Sequence, residues 1–306
     1  RRKPFCNKGT CRRNRKSIRM KKTCRMKRRF FDSASVSLFL SLILSGILLF
    51  VFCFSACSVS SENISSASDF KSVHGKVVTQ SLRRSAVFTG QEVRIENFSM
   101  CSHEVTQKEY EEFCTYNGAQ PKEQFGKGDD FPVYFVSFYD ALVYCNRRSI
   151  KEGLSPCYKI KNSSNPDDWG SVPKTNVDDS EWNSVECDFS ADGYRLPTEE
   201  EWEYAARGGE KLLLEKFSGS YDVFEVAWFN ENTSGASHPA KQKNPNALGL
   251  YDMSGNVQEL CWLKQGKAVI RGGSFDSQED SCAVYATGSV PVSARIKDTG
   301  FRVVRK

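Results

Sequence analysis

The sequence predicts an α+β fold with few, short regular elements, on three observations. Three segments share one helix-start grammar. The stretches between them are rich in Gly, Pro, Asn and Asp, and the apolar runs left over are short. In the first segment Thr106 is followed by Glu109, with Tyr110, Phe113 and Cys114 on one face and Asn117-Gly118 as the stop. In the second, Ser137 is followed by Asp140, with Ala141, Leu142 and Tyr144 behind it. In the third, Thr198 is followed by Glu201, with Trp202 and Ala205 on the inner face and Gly208-Gly209 as the stop. Each hydroxyl can cap free N–H groups while the acid three residues on reciprocates. Val269-Ile270 and Phe301-Arg302-Val303-Val304 are the strand candidates.

The chain has 306 residues, with 43 Lys+Arg against 37 Asp+Glu. The excess of +6 belongs to one end. Residues 1–30 hold fifteen Lys/Arg and no acid, and Asp32 is the one charge in 31–56, which leaves 28 basic and 36 acidic residues in 57–306, a net charge of −8. A nucleic-acid-binding body is thereby excluded, because phosphate binding needs a cationic surface.

Lys27-Arg28-Arg29 precedes an uncharged apolar run over 36–54, followed by Phe54-Ser55-Ala56-Cys57. A positive start, an apolar middle and small residues at the cut mark a secretory signal. The final four residues resemble a bacterial lipobox, which makes Cys57 the acylated residue and membrane attachment through lipid the expectation. An uncleaved transmembrane anchor is the alternative, since nineteen residues can span a bilayer. Residues 1–25 read as an upstream extension, with Met26 as a natural start and a basic nucleic-acid-binding arm as the rival reading. The expected organisation is a basic extension and signal over 1–56, a Ser-rich linker over 57–85 and one domain over 86–306. Export of this kind implies the bacterial cell envelope, with the domain facing periplasm or exterior.

Five blocks identify the domain. Glu104-Val105-Thr106, Gly193-Tyr194-Arg195-Leu196-Pro197-Thr198-Glu199-Glu200-Glu201-Trp202-Glu203-Tyr204-Ala205-Ala206-Arg207-Gly208-Gly209, Asn246-Ala247-Leu248-Gly249-Leu250-Tyr251-Asp252-Met253-Ser254-Gly255-Asn256-Val257, Arg271-Gly272-Gly273-Ser274-Phe275 and Gly300-Phe301-Arg302 stand in this order. From about residue 90 to the C-terminus the chain resembles the formylglycine-generating enzyme (sulfatase-modifying factor) family. The resemblance implies that family's single compact α+β domain, related to C-type lectin folds and poor in regular structure.

The family's oxidases convert a substrate Cys to formylglycine with two Cu(I)-binding cysteines in a Gly-Gly-Ser-x-x-Cys-x-x-x-x-Cys pattern. Here Cys282 holds the second position and Ser277 the first. A hydroxyl is a poor ligand for soft Cu(I), so copper is not expected and Cys282 reads as a buried or bridged cysteine. Were the oxidase active, Cys282 and Ser274 would be its catalytic residues. Calcium is the better metal expectation, because the family's loop around Gly-Asn-Val/Ala-Trp-Glu binds Ca²⁺ through carbonyls and a carboxylate. Its matching positions are Asp252, Gly255, Val257 and Glu259, and an ordered turn without metal is the other reading. His74, His103 and His238 stand singly, and HExxH, P-loop, GxSxG and CxxC motifs do not occur. Glu199-Glu200-Glu201 at a helix start reads as dipole and cap chemistry rather than as a catalytic pair.

The expected function is an exported lipoprotein whose domain is a non-catalytic binding module for a protein or glycan. Residues 276–297 are the candidate surface, a region that similar domains in some bacteria diversify. The alternative is a formylglycine-type oxidase acting on protein cysteine. Export predicts oxidised thiols, with Cys157–Cys187 closing the polar insert 158–186 and Cys261–Cys282 as the weaker pair.

Overall fold

A computed structural model describes residues 67–264 and 267–306. The signal run and Cys57 lie outside the described residues. The strands in chain order are β1 (Phe70–Val73), β2 (Val77–Val78), β3 (Val93–Arg94), β4 (Phe98–Cys101), β5 (Tyr158–Lys159), β6 (Glu186–Cys187), β7 (Gln258–Lys264), β8 (Lys267–Arg271), β9 (Thr287–Val290), β10 (Thr299–Gly300) and β11 (Val304–Arg305). The helices are α1 (Gln107–Phe113), α2 (Phe138–Lys151), α3 (Ser180–Asn183), α4 (Glu199–Ala206) and α5 (Val223–Val226). The α+β expectation holds, with loops and single 3₁₀ turns making up much of the rest.

All three helix-start readings are present as reciprocal capping boxes. Thr106, Ser137 and Thr198 accept from the N–H of Glu109, Asp140 and Glu201, and each acid accepts from its cap residue's own N–H. The longest helix, α2, packs Phe138, Leu142 and Tyr144 into the largest apolar cluster, beside Phe301, Trp169 and Trp182. A second cluster joins β4 to α4 through Met100, Trp202 and Val304, and a third gathers Phe217, Phe229 and Cys282.

Two sheets order the molecule. One has the order β1-β4-β11, with both outer strands antiparallel to β4; the other has the order β10-β7-β8-β9, parallel at its first pair and antiparallel after it. The domain begins earlier than the linker reading expects. Phe70 to Val73 pair with Cys101 to Phe98, and Val77–Val78 pairs with Val93–Arg94, so the Ser-rich segment has become structure by residue 70. The reason is non-local: these residues become strands only because their partners lie 15 to 31 positions on.

Candidate functional site

Helix α4 organises the centre of the domain. Arg195 grips the Glu201 carboxylate with two bonds, Nη1–Oε2 at 2.6 Å and Nη2–Oε1 at 2.7 Å, a fork that suits a planar guanidinium. Arg271 on β8 reaches Glu199 (3.2 Å) and Glu203 (2.5 Å) from the same helix. Trp202 donates its indole N–H to Glu259 Oε2 at 2.8 Å. The acidic run thus serves more than the cap. Glu201 completes the capping box, while Glu199 ties the helix to β8.

The expected calcium positions lie at the other end of this network, where the Glu259 carboxylate is already engaged. Glu259 is the one charged side chain among them besides Asp252, and both of its oxygens are taken. Oε1 accepts from Arg302 Nη2 (2.6 Å), and Oε2 accepts from Arg302 Nε (2.7 Å) as well as from Trp202. The Val257 N–H is held by Glu104 Oε1 at 3.0 Å. Gly255 is explained by packing, because a Cβ there would lie 2.3 Å from the Trp228 carbonyl oxygen. Asp252 has one oxygen on the Lys241 N–H (2.8 Å) and the other without a partner among the described residues. Burial pushes its carboxyl up to about 6. Burial, then the nearby Asp252 and Glu259 charges, raise Glu104 well above the ordinary carboxylate range. Three acids therefore share one buried Arg302, and no group of three or more metal-ligating side chains assembles among the described residues. The loop is a turn locked by an ion pair.

The copper positions fail in a different way. Ser277 Oγ accepts from the Ser274 N–H at 3.0 Å and stands 3.1 Å from Ser274 Oγ, which donates to Asp298 Oδ2 at 2.7 Å. A cavity of about 180 Å³ opens beside it, lined by Ser277, Ser281, Arg271, Thr287 and Gly288 among others. Cys282 does not line it. Gly273, at φ 69°, allows the turn to press against the Ser281–Cys282 backbone; a Cβ there would meet the Ser281 oxygen at 2.8 Å. That contact sends the Cys282 side chain inward, where it is wholly buried with Phe217 and Val223. Burial pushes its thiol up to about 12. The turn supplies no soft second ligand for Cu(I), and its one thiol is buried away from the cavity.

In the structure Cys157, Cys187, Cys261 and Cys282 are free thiols. On the β5–β6 ladder Cys187 stands opposite Tyr158, the residue after Cys157. Cys157 donates its S–H to the Gly193 carbonyl at 3.3 Å. Cys261 and Cys282 sit in separate apolar clusters. The isolated histidines divide: His103 is buried 3.6 Å from Glu109, and His238 stacks on Trp228 with centroids 3.8 Å apart.

Comparison with known proteins agrees with this architecture. Residues 65–306 match the sulfatase-modifying factor enzyme 1-like domain. Chaperone protein LppX of Paenibacillus barcinonensis is 35% identical over 277 residues, 82% of this chain and 94% of that protein. The formylglycine-generating enzyme of Streptomyces coelicolor is 30% identical over 151 residues, covering 39% of this chain and 46% of the enzyme. The solved structure of Treponema denticola variable protein 1 superposes with a TM-score of 0.65 at 28% identity, over 77% of this chain and 94% of that one. With its blocks and fold in place and residues 65–306 matched, the chain belongs to the sulfatase-modifying factor family.

Proposed function

We propose that the chain is an exported lipoprotein whose family domain binds a polypeptide partner without oxidising it. One observation carries the reading: the cavity beside the Gly-Gly-Ser turn presents the Ser277 hydroxyl, while the sole cysteine of that motif is buried away from it. Oxidase chemistry at this turn needs two thiolates open to substrate, and the geometry offers none. The name of the Paenibacillus relative, a chaperone protein, supports a polypeptide over a glycan as the ligand. The lipid anchor rests on the signal run and Cys57. It places the module at the cell envelope, where exported chains emerge unfolded.

The test uses the full chain in detergent micelles, mixed with a secreted hydrolase diluted from denaturant. Suppressed light scattering at near-equimolar ratio is expected. Copper-dependent oxygen consumption with a Cys-containing sulfatase peptide would overturn the reading in favour of the oxidase. Radiolabelled palmitate is expected to label the wild type and to miss Cys57→Ser.

A further inference from the structure

The four-stranded sheet has two edges, and they differ. At one, Thr299 and Gly300 of β10 are buried; at the other, Thr287, Gly288 and Ser289 of β9 are exposed. The hydrogen-bond parity of the sheet decides which groups β9 leaves open. Gln258 donates its N–H to Asp298 and Trp262 donates to Pro197, both away from β8. Alternate residues of an antiparallel strand bond the same neighbour, so Glu259 and Cys261 bond β8 opposite Arg271 and Val269. Ile270 and Ala268 then face β9, opposite Gly288 and Val290. Thr287 and Ser289 are left with N–H and C=O groups directed out of the sheet. Among the described residues, no backbone group of either bonds elsewhere.

Sheet edges in folded proteins are usually blunted by shortness, a charge, a proline or a bulge. Thr-Gly-Ser-Val is short, at four residues, but carries no charge or proline, and Pro291 comes only after the strand has ended. The edge is also held still, because Thr287 Oγ1 donates to Glu199 at 2.6 Å. A cavity flanks each end. The 180 Å³ space beside Ser277 takes in Thr287 and Gly288, and a second of about 510 Å³ is lined by Val177, Val290, Pro291 and Val292 together with the oppositely charged Asp178 and Lys267.

We propose that the outer edge of β9 docks an extended, uncharged segment of a partner polypeptide, which adds to the sheet as a fifth strand. The inference rests on the binding-module reading and gives it a site. Only another extended backbone supplies both the acceptors and the donors that Thr287 and Ser289 leave open. The uncharged row selects an uncharged segment. The larger cavity, walled by Val290, Pro291 and Val292, takes an aliphatic side chain, and the smaller one takes a small polar residue. A second copy of the chain fits less well. Four residues of edge pairing bury far less than the roughly 800 Å² per partner of a stable interface.

The probe is a capped, labelled heptapeptide of alternating Val and Ser, added to the full chain in micelles. Hydrogen exchange is expected to slow at the Thr287 and Ser289 amides. Ser289→Pro removes one outward donor without touching the β8 ladder, and is expected to weaken binding about tenfold, the worth of one backbone hydrogen bond. Ser289→Ala keeps the donor and is expected to bind as wild type. A fully N-methylated peptide tests the same bonds with the protein unaltered, and is expected not to bind. Unprotected β9 amides, or equal affinity for the methylated peptide, would overturn the edge. So would a dimer in solution that Ser289→Pro dissociates, which would assign the edge to a second copy. If the chain holds the denatured hydrolase while β9 stays unprotected, the edge is overturned and the module stands. If β9 is protected and no hydrolase is held, the edge stands and the holding of denatured chains is overturned.

Discussion

Glu259 and Arg302 meet through two bonds of 2.6 and 2.7 Å with both side chains out of solvent. The parallel pairing of β10 with β7, which sets Gly300 beside Glu259, brings the arginine there. Arg302 also donates to the carbonyls of Cys101 (3.2 Å) and Tyr251 (2.9 Å), so it closes three segments around one guanidinium. Removing it would leave Glu104, Asp252 and Glu259 buried without their counter-charge. Arg302→Met is expected to cost about 3–5 kcal/mol of stability, the usual result of breaking one side of a buried pair. Urea denaturation measures it, and a loss below about 1 kcal/mol would contradict the assignment.

Asp252 sets a pH dependence whose sign is opposite to that of a salt-bridged carboxylate. Its folded value of about 6 lies above the ordinary 3.8, so between those pH values the folded state holds more proton than the unfolded one. Stability from this group is greatest below pH 4 and declines as the pH rises to 6. The difference is about 3 kcal/mol. Asp252→Asn keeps an acceptor for the Lys241 N–H and has no charge to bury. It is expected to raise stability at pH 7 and to flatten the stability profile between pH 4 and 6. An unchanged profile from chemical denaturation at stepped pH would refute this.

The thiols should resist alkylation in the folded chain. Burial pushes the Cys157 thiol up to about 11, Cys282 up to about 12, and the half-buried Cys187 further still. At pH 8 a pKa of 12 leaves about a thousandfold less thiolate than an ordinary cysteine has. Iodoacetamide is expected to reach Cys157, Cys187 and Cys282 only in urea. Peptide mass mapping reads the labelled sites, and fast native labelling of Cys282 would reopen the oxidase.

Thr198→Ala deletes the side chain that caps α4 and is expected to cost about 1 kcal/mol. Thr198→Ser should recover most of it. Because Glu201 also holds Arg195, a loss several times larger would show that the cap and the ion pair act as one unit.

What could be read from the sequence was what is encoded within a few residues. The three capping boxes are contained in four-residue spans, and all three stand. The loss of the two-thiolate motif was legible at Ser277 for the same reason. The pairing of Glu259 was not legible, because it is claimed by a residue 43 positions later and nothing near Glu259 announces it. The linker boundary failed likewise: Phe70–Val73 has no strand pattern of its own and borrows its order from β4. The β9 edge carried no signal either, since Thr-Gly-Ser-Val is too short and too polar to read as a strand.

The sheet β1-β4-β11 has a consequence for synthesis and transport. The middle strand is flanked by one partner from the start of the domain and one from the last residues of the chain. A polypeptide that emerges from a ribosome or translocon N-terminus first can pair β1 with β4 early. It must wait for residues 299–306 before β11 closes the sheet and Arg302 reaches its acid. Until that moment three carboxyls have no guanidinium to gather round. The domain therefore cannot complete this sheet until β11 has emerged, and deleting Val304–Arg305 would remove a structural strand.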